Sequence, residues 1–81
     1  MVDAGQTPAE QAVLRNVQSL LKRRASPATV TLGSDLYDDL EMDSLEVAEL
    51  SAALEEELGS DPYTEGLFPR TIGEVAEFYA K

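Results

Sequence analysis

The 81-residue sequence predicts an all-α fold: a small four-helix bundle of three main helices and one short third helix, with a long loop between helices one and two. Three observations carry that prediction. Apolar residues recur at three-and-four spacing in three separate stretches, and two of those stretches open with capping-box signatures. Aromatics make up only 6% of a chain that is 43% hydrophobic, so Leu, Val and Ala must fill the core, which suits helices packed on helices. At this length one domain over residues 1–81 is expected, with residues 1–6 as a flexible tail.

The first helix begins at Thr7-Pro8-Ala9-Glu10, where a capping threonine is followed by proline at the first helical position and glutamate three residues after the cap. Val13, Leu14, Val17, Leu20 and Leu21 then share one face, and Gln11, Arg15 and Gln18 fall elsewhere. The helix is expected to end near Lys22-Arg23-Arg24, before Ala25-Ser26-Pro27. Cations in a last turn complement the helix dipole; a binding site is the alternative reading of that cluster. From Pro27 to Asp43 no period is sustained, which predicts a long ordered loop anchored by Val30, Leu32, Leu36, Tyr37 and Leu40. Val30-Thr31-Leu32 could also be a strand, but it has no visible pairing partner.

Asp43 suits the N-cap of the second helix, because its carboxylate can accept a first-turn N–H, and Ser44 then lies exposed at the helix mouth. At about 100° per residue, Val47, Leu50, Leu54 and Leu58 form a core stripe. Leu45, Ala48 and Ala52 lie opposite, bordered by Glu49, Glu55 and Glu56. That strip is either a partner-binding surface or, for the alanines, a matter of helix propensity. Gly59 ends the helix. Asp61-Pro62 can start the short third helix, which Gly66 ends. Thr71-Ile72-Gly73-Glu74 is a second capping box, with Ile72, Val75, Ala76 and Tyr79 as the last apolar face.

Sixteen acidic residues stand against six basic ones with no histidine, a formal net charge of −10. Nucleic acids and anionic membranes would be repelled, so partners should be basic. No cysteine is present, which excludes disulfides, thiolate metal sites and a cysteine nucleophile. A serine nucleophile would need a base that this histidine-free chain does not offer, so no catalysis is expected. No stretch approaches the roughly 18 apolar residues of a membrane span, and a cytoplasmic monomer is the expectation. Ten carboxylates and no basic residue lie between Asp35 and Glu57. Asp35, Asp39 and Glu46 match the first, fifth and twelfth positions of a calcium loop. Tyr37 occupies a ligand position and Leu40 the glycine position, so no dedicated metal site is expected, only weak divalent binding.

The run Asp39-Leu40-Glu41-Met42-Asp43-Ser44-Leu45, the acidic helix ending Glu55-Glu56-Glu57-Leu58-Gly59, and Thr71-Ile72-Gly73-Glu74-Val75 at the expected distance together resemble acyl carrier proteins over most of residues 7 to 80. The resemblance implies a four-helix fold with a short third helix. It also implies that Ser44 bears 4′-phosphopantetheine, derived from coenzyme A, whose thiol holds acyl groups as thioesters. By correspondence Asp43 helps position the modifying enzyme. Leu45, Glu46, Ala48, Glu49, Ala52, Glu55 and Glu56 form the docking face for basic enzymes: a phosphopantetheinyl transferase, an acyltransferase or acyl or aminoacyl ligase, and ketosynthase-type partners. The chain departs from the family at Glu41, where glycine is usual, and at the small residues Ala48 and Ala52, which suggest specialised partners.

A free-standing carrier of polyketide or related natural-product biosynthesis is the expected role. An aminoacyl or peptidyl carrier, or a fatty acid carrier, is the alternative within the family. A helical adaptor without a prosthetic group is the alternative outside it.

Overall fold

A computed structural model of the chain describes residues 7–24 and 29–80. The expected tail, residues 1–6, and the expected helix stop at Ala25-Ser26-Pro27 lie outside the described residues. Helix α1 spans Pro8–Arg23, α2 Ser44–Leu58 and α3 Ile72–Glu77, with a 3-10 turn, Phe78–Ala80, continuing the last helix.

Each helix starts where its first unpaired N–H groups find a side chain. Thr7 Oγ1 accepts the Glu10 N–H at 3.1 Å while Glu10 Oε1 accepts the Thr7 N–H at 2.8 Å. Thr71 and Glu74 repeat this exchange at α3, at 3.1 and 3.0 Å. Helix α2 ends at Gly59, whose φ of 86° lies in the left-handed region and whose N–H closes on the Glu55 carbonyl.

The segment after Asp61 keeps the expected short third element to a single turn that Gly66 ends. Glu65 N–H donates to the Pro62 carbonyl, Gly66 N–H to that of Tyr63 and Leu67 N–H back to that of Pro62, at 3.0–3.1 Å. These bonds close a turn, not a helical ladder. Gly66, at φ 85°, reverses the chain before a second turn can form. The bundle therefore has three α-helices among the described residues.

The core brings the three apolar stripes together: Val13 and Val17 of α1, Leu50 and Leu54 of α2, and Ile72 and Val75 of α3 are all fully buried. Leu36 and Leu40 anchor the long loop in this core, and Val30 and Leu32 pack against it half-buried. Tyr37 was expected to join them and does not. It is 36% exposed, with its ring 5.1 Å under the Arg70 guanidinium carbon, a cation–π contact at the surface. Met42, 4% exposed, provides an anchor nearer the serine that periodicity did not indicate.

Residues 30–32 form no strand. Instead the loop lies against the start of α3: Leu36 N–H donates to the Arg70 carbonyl at 2.7 Å, Ile72 N–H to Ser34 at 3.2 Å and Gly73 N–H to Leu32 at 2.7 Å. A Cβ at Gly73 would sit 3.1 Å from the Leu32 oxygen, so only glycine permits this approach unstrained.

Arg15 pairs with Glu57, Arg23 with Glu49 and Arg24 with Glu46, so α1 and α2 run antiparallel. The basic cluster at the end of α1 thus does more than complement a dipole. No described helix is long and apolar enough to cross a membrane.

Candidate functional site

Ser44 is the first residue of α2 and is exposed. Asp43 supplies the cap: its Oδ1 accepts the Glu46 N–H at 2.8 Å, and Glu46 Oε1 accepts the Asp43 N–H at 3.3 Å. The Asp43 side chain is therefore spent on the helix start while the neighbouring hydroxyl stays open to solvent. A phosphodiester on Ser44 would sit at the positive end of α2, where the dipole favours an anion.

Ser44 also borders an open groove of about 380 Å³. Val47, Ala48 and Ser51 of α2 form one wall, with Tyr37, Tyr63, Thr64 and Phe68 across from them. Phe68 is 76% exposed. An exposed hydroxyl at a helix N-terminus, beside an open groove with an apolar wall, fits a bulky covalent substituent without rearrangement.

Immediately before this junction the backbone does something uncommon. Glu41 has a φ of 53°, the one non-glycine residue with positive φ among the described residues. The left-handed region costs an L-residue roughly 1–2 kcal/mol. This is the position where the family resemblance expects glycine, so the chain keeps a backbone that suits glycine and places glutamate on it. Arg24 reaches across to it, donating from Nη2 to the Leu40 carbonyl at 2.6 Å and from Nη1 to the Glu41 carbonyl at 3.2 Å.

The expected docking residues divide into two groups. Leu45, 68% exposed, and Ala48, Ala52, Glu55 and Glu56, all exposed, present a continuous outer face of α2. Glu46 and Glu49 are half-buried on the flank towards α1, where Arg24 and Arg23 hold them. Among the described residues, Glu55 and Glu56 have no cationic partner, so the free charge of α2 lies in its C-terminal half.

The carboxylates tested as a calcium loop are turned elsewhere. Asp35 Oδ1 accepts the Tyr37 and Asp38 N–H groups at 2.8 and 2.9 Å, and Arg70 grips the same carboxylate from Nε and Nη2 at 3.1 and 3.3 Å. The Asp38 N–H, with help from Tyr37 and Arg70, holds the Asp35 carboxyl below its ordinary range against partial desolvation. Asp39 Oδ2 accepts the Asp35 N–H at 2.8 Å, and Glu46 faces Arg24. No cluster of three or more potential metal ligands occurs among the described residues.

Sequence reasoning missed Asp61. It is 1% exposed and accepts hydrogen bonds from Ser51 Oγ at 2.7 Å, Thr64 N–H at 3.0 Å and Thr64 Oγ1 at 2.7 Å. Burial works against its charge, yet the hydrogen bonds from Ser51 and Thr64 hold its pKa below the ordinary value. This carboxylate ties the groove's far wall to α2. An Asp-Pro pair after a helix signals a turn, and nothing local reveals that the aspartate is buried.

No curated protein and no solved structure gave a significant match to the chain. A family model described as phosphopantetheine attachment site matches residues 11–79, a span that takes in all of α2 and the exposed Ser44. The chain therefore belongs to that family, whose members are non-catalytic carrier domains with covalently attached 4′-phosphopantetheine.

Proposed function

We propose that Ser44 is the attachment point and that the protein carries acyl intermediates to partner enzymes, in polyketide or related natural-product biosynthesis. The observation that supports it most is the exposed hydroxyl at the first position of α2, beside a cap supplied by Asp43. The other described serines are less suitable. Ser34 is buried against Thr31, Ser51 donates to Asp61, Ser60 is half-buried, and Ser19 lies in the middle of α1, away from any helix start. Attached to Ser44, 4′-phosphopantetheine supplies a terminal thiol on which an acyl group is held as a thioester.

The chain's own residues do the rest. Asp43 and Glu46 fix the helix start, and the wall of Tyr37, Ala48 and Phe68 offers apolar surface beside the tether. Leu45, Ala48 and Ala52 supply desolvated contact for a partner, and Glu55 and Glu56 supply attraction for its basic residues. Glu46 and Glu49 contribute to recognition when a partner's cations displace the α1 arginines. The transferase, an acyltransferase or ligase, and ketosynthase-type enzymes are the partners this face suits. The small residues Ala48 and Ala52 favour a partner with a protruding apolar contact. An aminoacyl cargo would use the same tether, and loading by an aminoacyl ligase would reveal it.

Incubation with coenzyme A and a broad-range phosphopantetheinyl transferase should add one phosphopantetheinyl group by intact mass. Ser44→Ala should abolish that addition and leave the thermal transition nearly unchanged, since Asp43 still caps α2. Addition to the alanine variant would overturn the assignment of Ser44.

A further inference from the structure

The Leu40 carbonyl belongs to the peptide unit before the Glu41 Cα, and the Glu41 carbonyl to the unit after it. The orientation of the first is set by φ of Glu41 and that of the second by ψ. A single planar guanidinium that donates to both oxygens, at 2.6 and 3.2 Å, therefore holds both dihedrals of Glu41 together. The dihedrals it holds are ones a glutamate resists, with φ at 53°. The same guanidinium acts on the other side of Ser44 as well. Arg24 Nε lies 3.3 Å from Glu46 Oε2, and the second oxygen of that carboxylate accepts the Asp43 N–H. Arg24 thus holds the chain at residues 40–41 and again at 46, with Ser44 between the two points of attachment.

We propose that Arg24 is a positioning residue for the modification of Ser44. It holds Glu41 left-handed and steadies Glu46 in the Asp43 capping box, so that the transferase meets the serine in one prepared geometry. The inference rests on Ser44 being the attachment point. It makes Arg24 and Glu41 energetically coupled: glycine adopts positive φ without a Cβ penalty, so with glycine at position 41 the clamp becomes dispensable. Without the clamp, glutamate relaxes towards negative φ and only a fraction of molecules present the serine correctly. The transferase's apparent KM for the carrier then rises by the inverse of that fraction, while kcat, measured on bound carrier, stays the same.

The test compares wild type, Arg24→Ala, Arg24→Lys, Glu41→Gly and Arg24→Ala/Glu41→Gly, each shown by circular dichroism to be folded at the assay temperature. Arg24→Ala should raise KM about tenfold with kcat little changed, as expected if about one molecule in ten remains competent. Arg24→Lys keeps the charge but cannot span two carbonyls as a planar fork, so it should resemble Arg24→Ala. Glu41→Gly should behave as wild type, and adding it to Arg24→Ala should restore most of the loss. Charge alone predicts the opposite sign, because removing a cation makes the carrier more attractive to a basic enzyme. An unchanged KM in Arg24→Ala, or no rescue by Glu41→Gly, overturns the proposal.

If wild type accepts no phosphopantetheinyl group, it is the assignment of Ser44 that has failed. The clamp is then read without the transferase, from amide resonances of residues 41–46. These should broaden or shift in Arg24→Ala and sharpen again in the double variant; resonances indifferent to Arg24 would overturn the clamp itself. Should Arg24→Ala fail to fold, the double variant must still fold and match Glu41→Gly in KM, and a double variant that does not overturns the proposal.

Discussion

Leu45 and Leu54 lie in the same helix with the same side chain, and their surroundings predict different losses. Leu54 is fully buried between the helices, and its truncation to alanine should cost roughly 2–5 kcal/mol in a denaturant titration. Leu45 is 68% exposed, and Leu45→Ala should move stability by no more than about 0.5 kcal/mol. Its effect should appear in partner binding, chiefly as faster dissociation. Charge reversal at Glu56, which has no cationic partner among the described residues, should instead slow association and flatten its salt dependence. Equal destabilisation by Leu45→Ala and Leu54→Ala would mean that the helix faces are misassigned. Both leucines were legible in the sequence because a 100° period separates them without knowledge of any other element. Glu41 was legible only as an odd residue; its positive φ depends on Arg24, which no local pattern connects to it.

At the scale of elements, the three helices were written in their own sequences through caps and apolar stripes, and each cap formed as its residues predicted. The elements between them were harder to read, because they are held by contacts distant in the chain. Tyr37 looked like a core anchor and lies under Arg70, 33 positions further along. The turn after Asp61 looked helical because Pro62 suits a first helical position; Gly66 and the side chain of Asp61 make it a turn instead. That turn supplies a test of pH dependence. The folded pKa of Asp61 is lowered from its ordinary 3.8, so its stabilisation is complete above that value and drains away as pH falls through the folded value. From about pH 4 downward, the wild-type protein should lose stability more steeply than Asp61→Asn, which has no such proton to take up. At neutral pH the same variant should be less stable by roughly 1.5–3 kcal/mol, the usual worth of hydrogen bonds to a charged group. Parallel stability profiles for the two proteins would show that Asp61 has the same pKa folded and unfolded, so that the hydrogen bonds from Ser51 and Thr64 do not favour its charged form. Tyr79, which donates to the Ser60 carbonyl at 2.7 Å, borders the same carboxylate, and burial together with the charge on Asp61 pushes its pKa up to about 12.

For the whole molecule the governing quantity is a net charge of −10 on 81 residues. Five of the ten carboxylates between Asp35 and Glu57, namely Asp35, Asp38, Glu46, Glu49 and Glu57, are paired with arginines. Such surface pairs contribute little and are themselves weakened by salt. The remaining repulsion is the larger effect, because it acts among all the unpaired charges of a compact chain and relaxes when the chain expands. Added salt or millimolar magnesium should therefore raise the melting temperature, by roughly 4–8 °C for each kcal/mol of repulsion removed. A transition unmoved by ionic strength would show that the arginine pairs already balance it. The backbone bonds that join residues 32–36 to residues 70–73 have a consequence in time. A chain growing from its N-terminus makes Ser44 long before it makes Arg70, yet residues 32–36 lack their backbone partners until Arg70, Ile72 and Gly73 close on them. In refolding followed by pulsed hydrogen exchange, the Leu36 amide should gain protection together with those of Ile72 and Gly73, after the interior amides of α1 and α2. The middle of the chain then waits on its end, and a nascent or C-terminally shortened protein should hold the loop before Ser44 less firmly than the finished one.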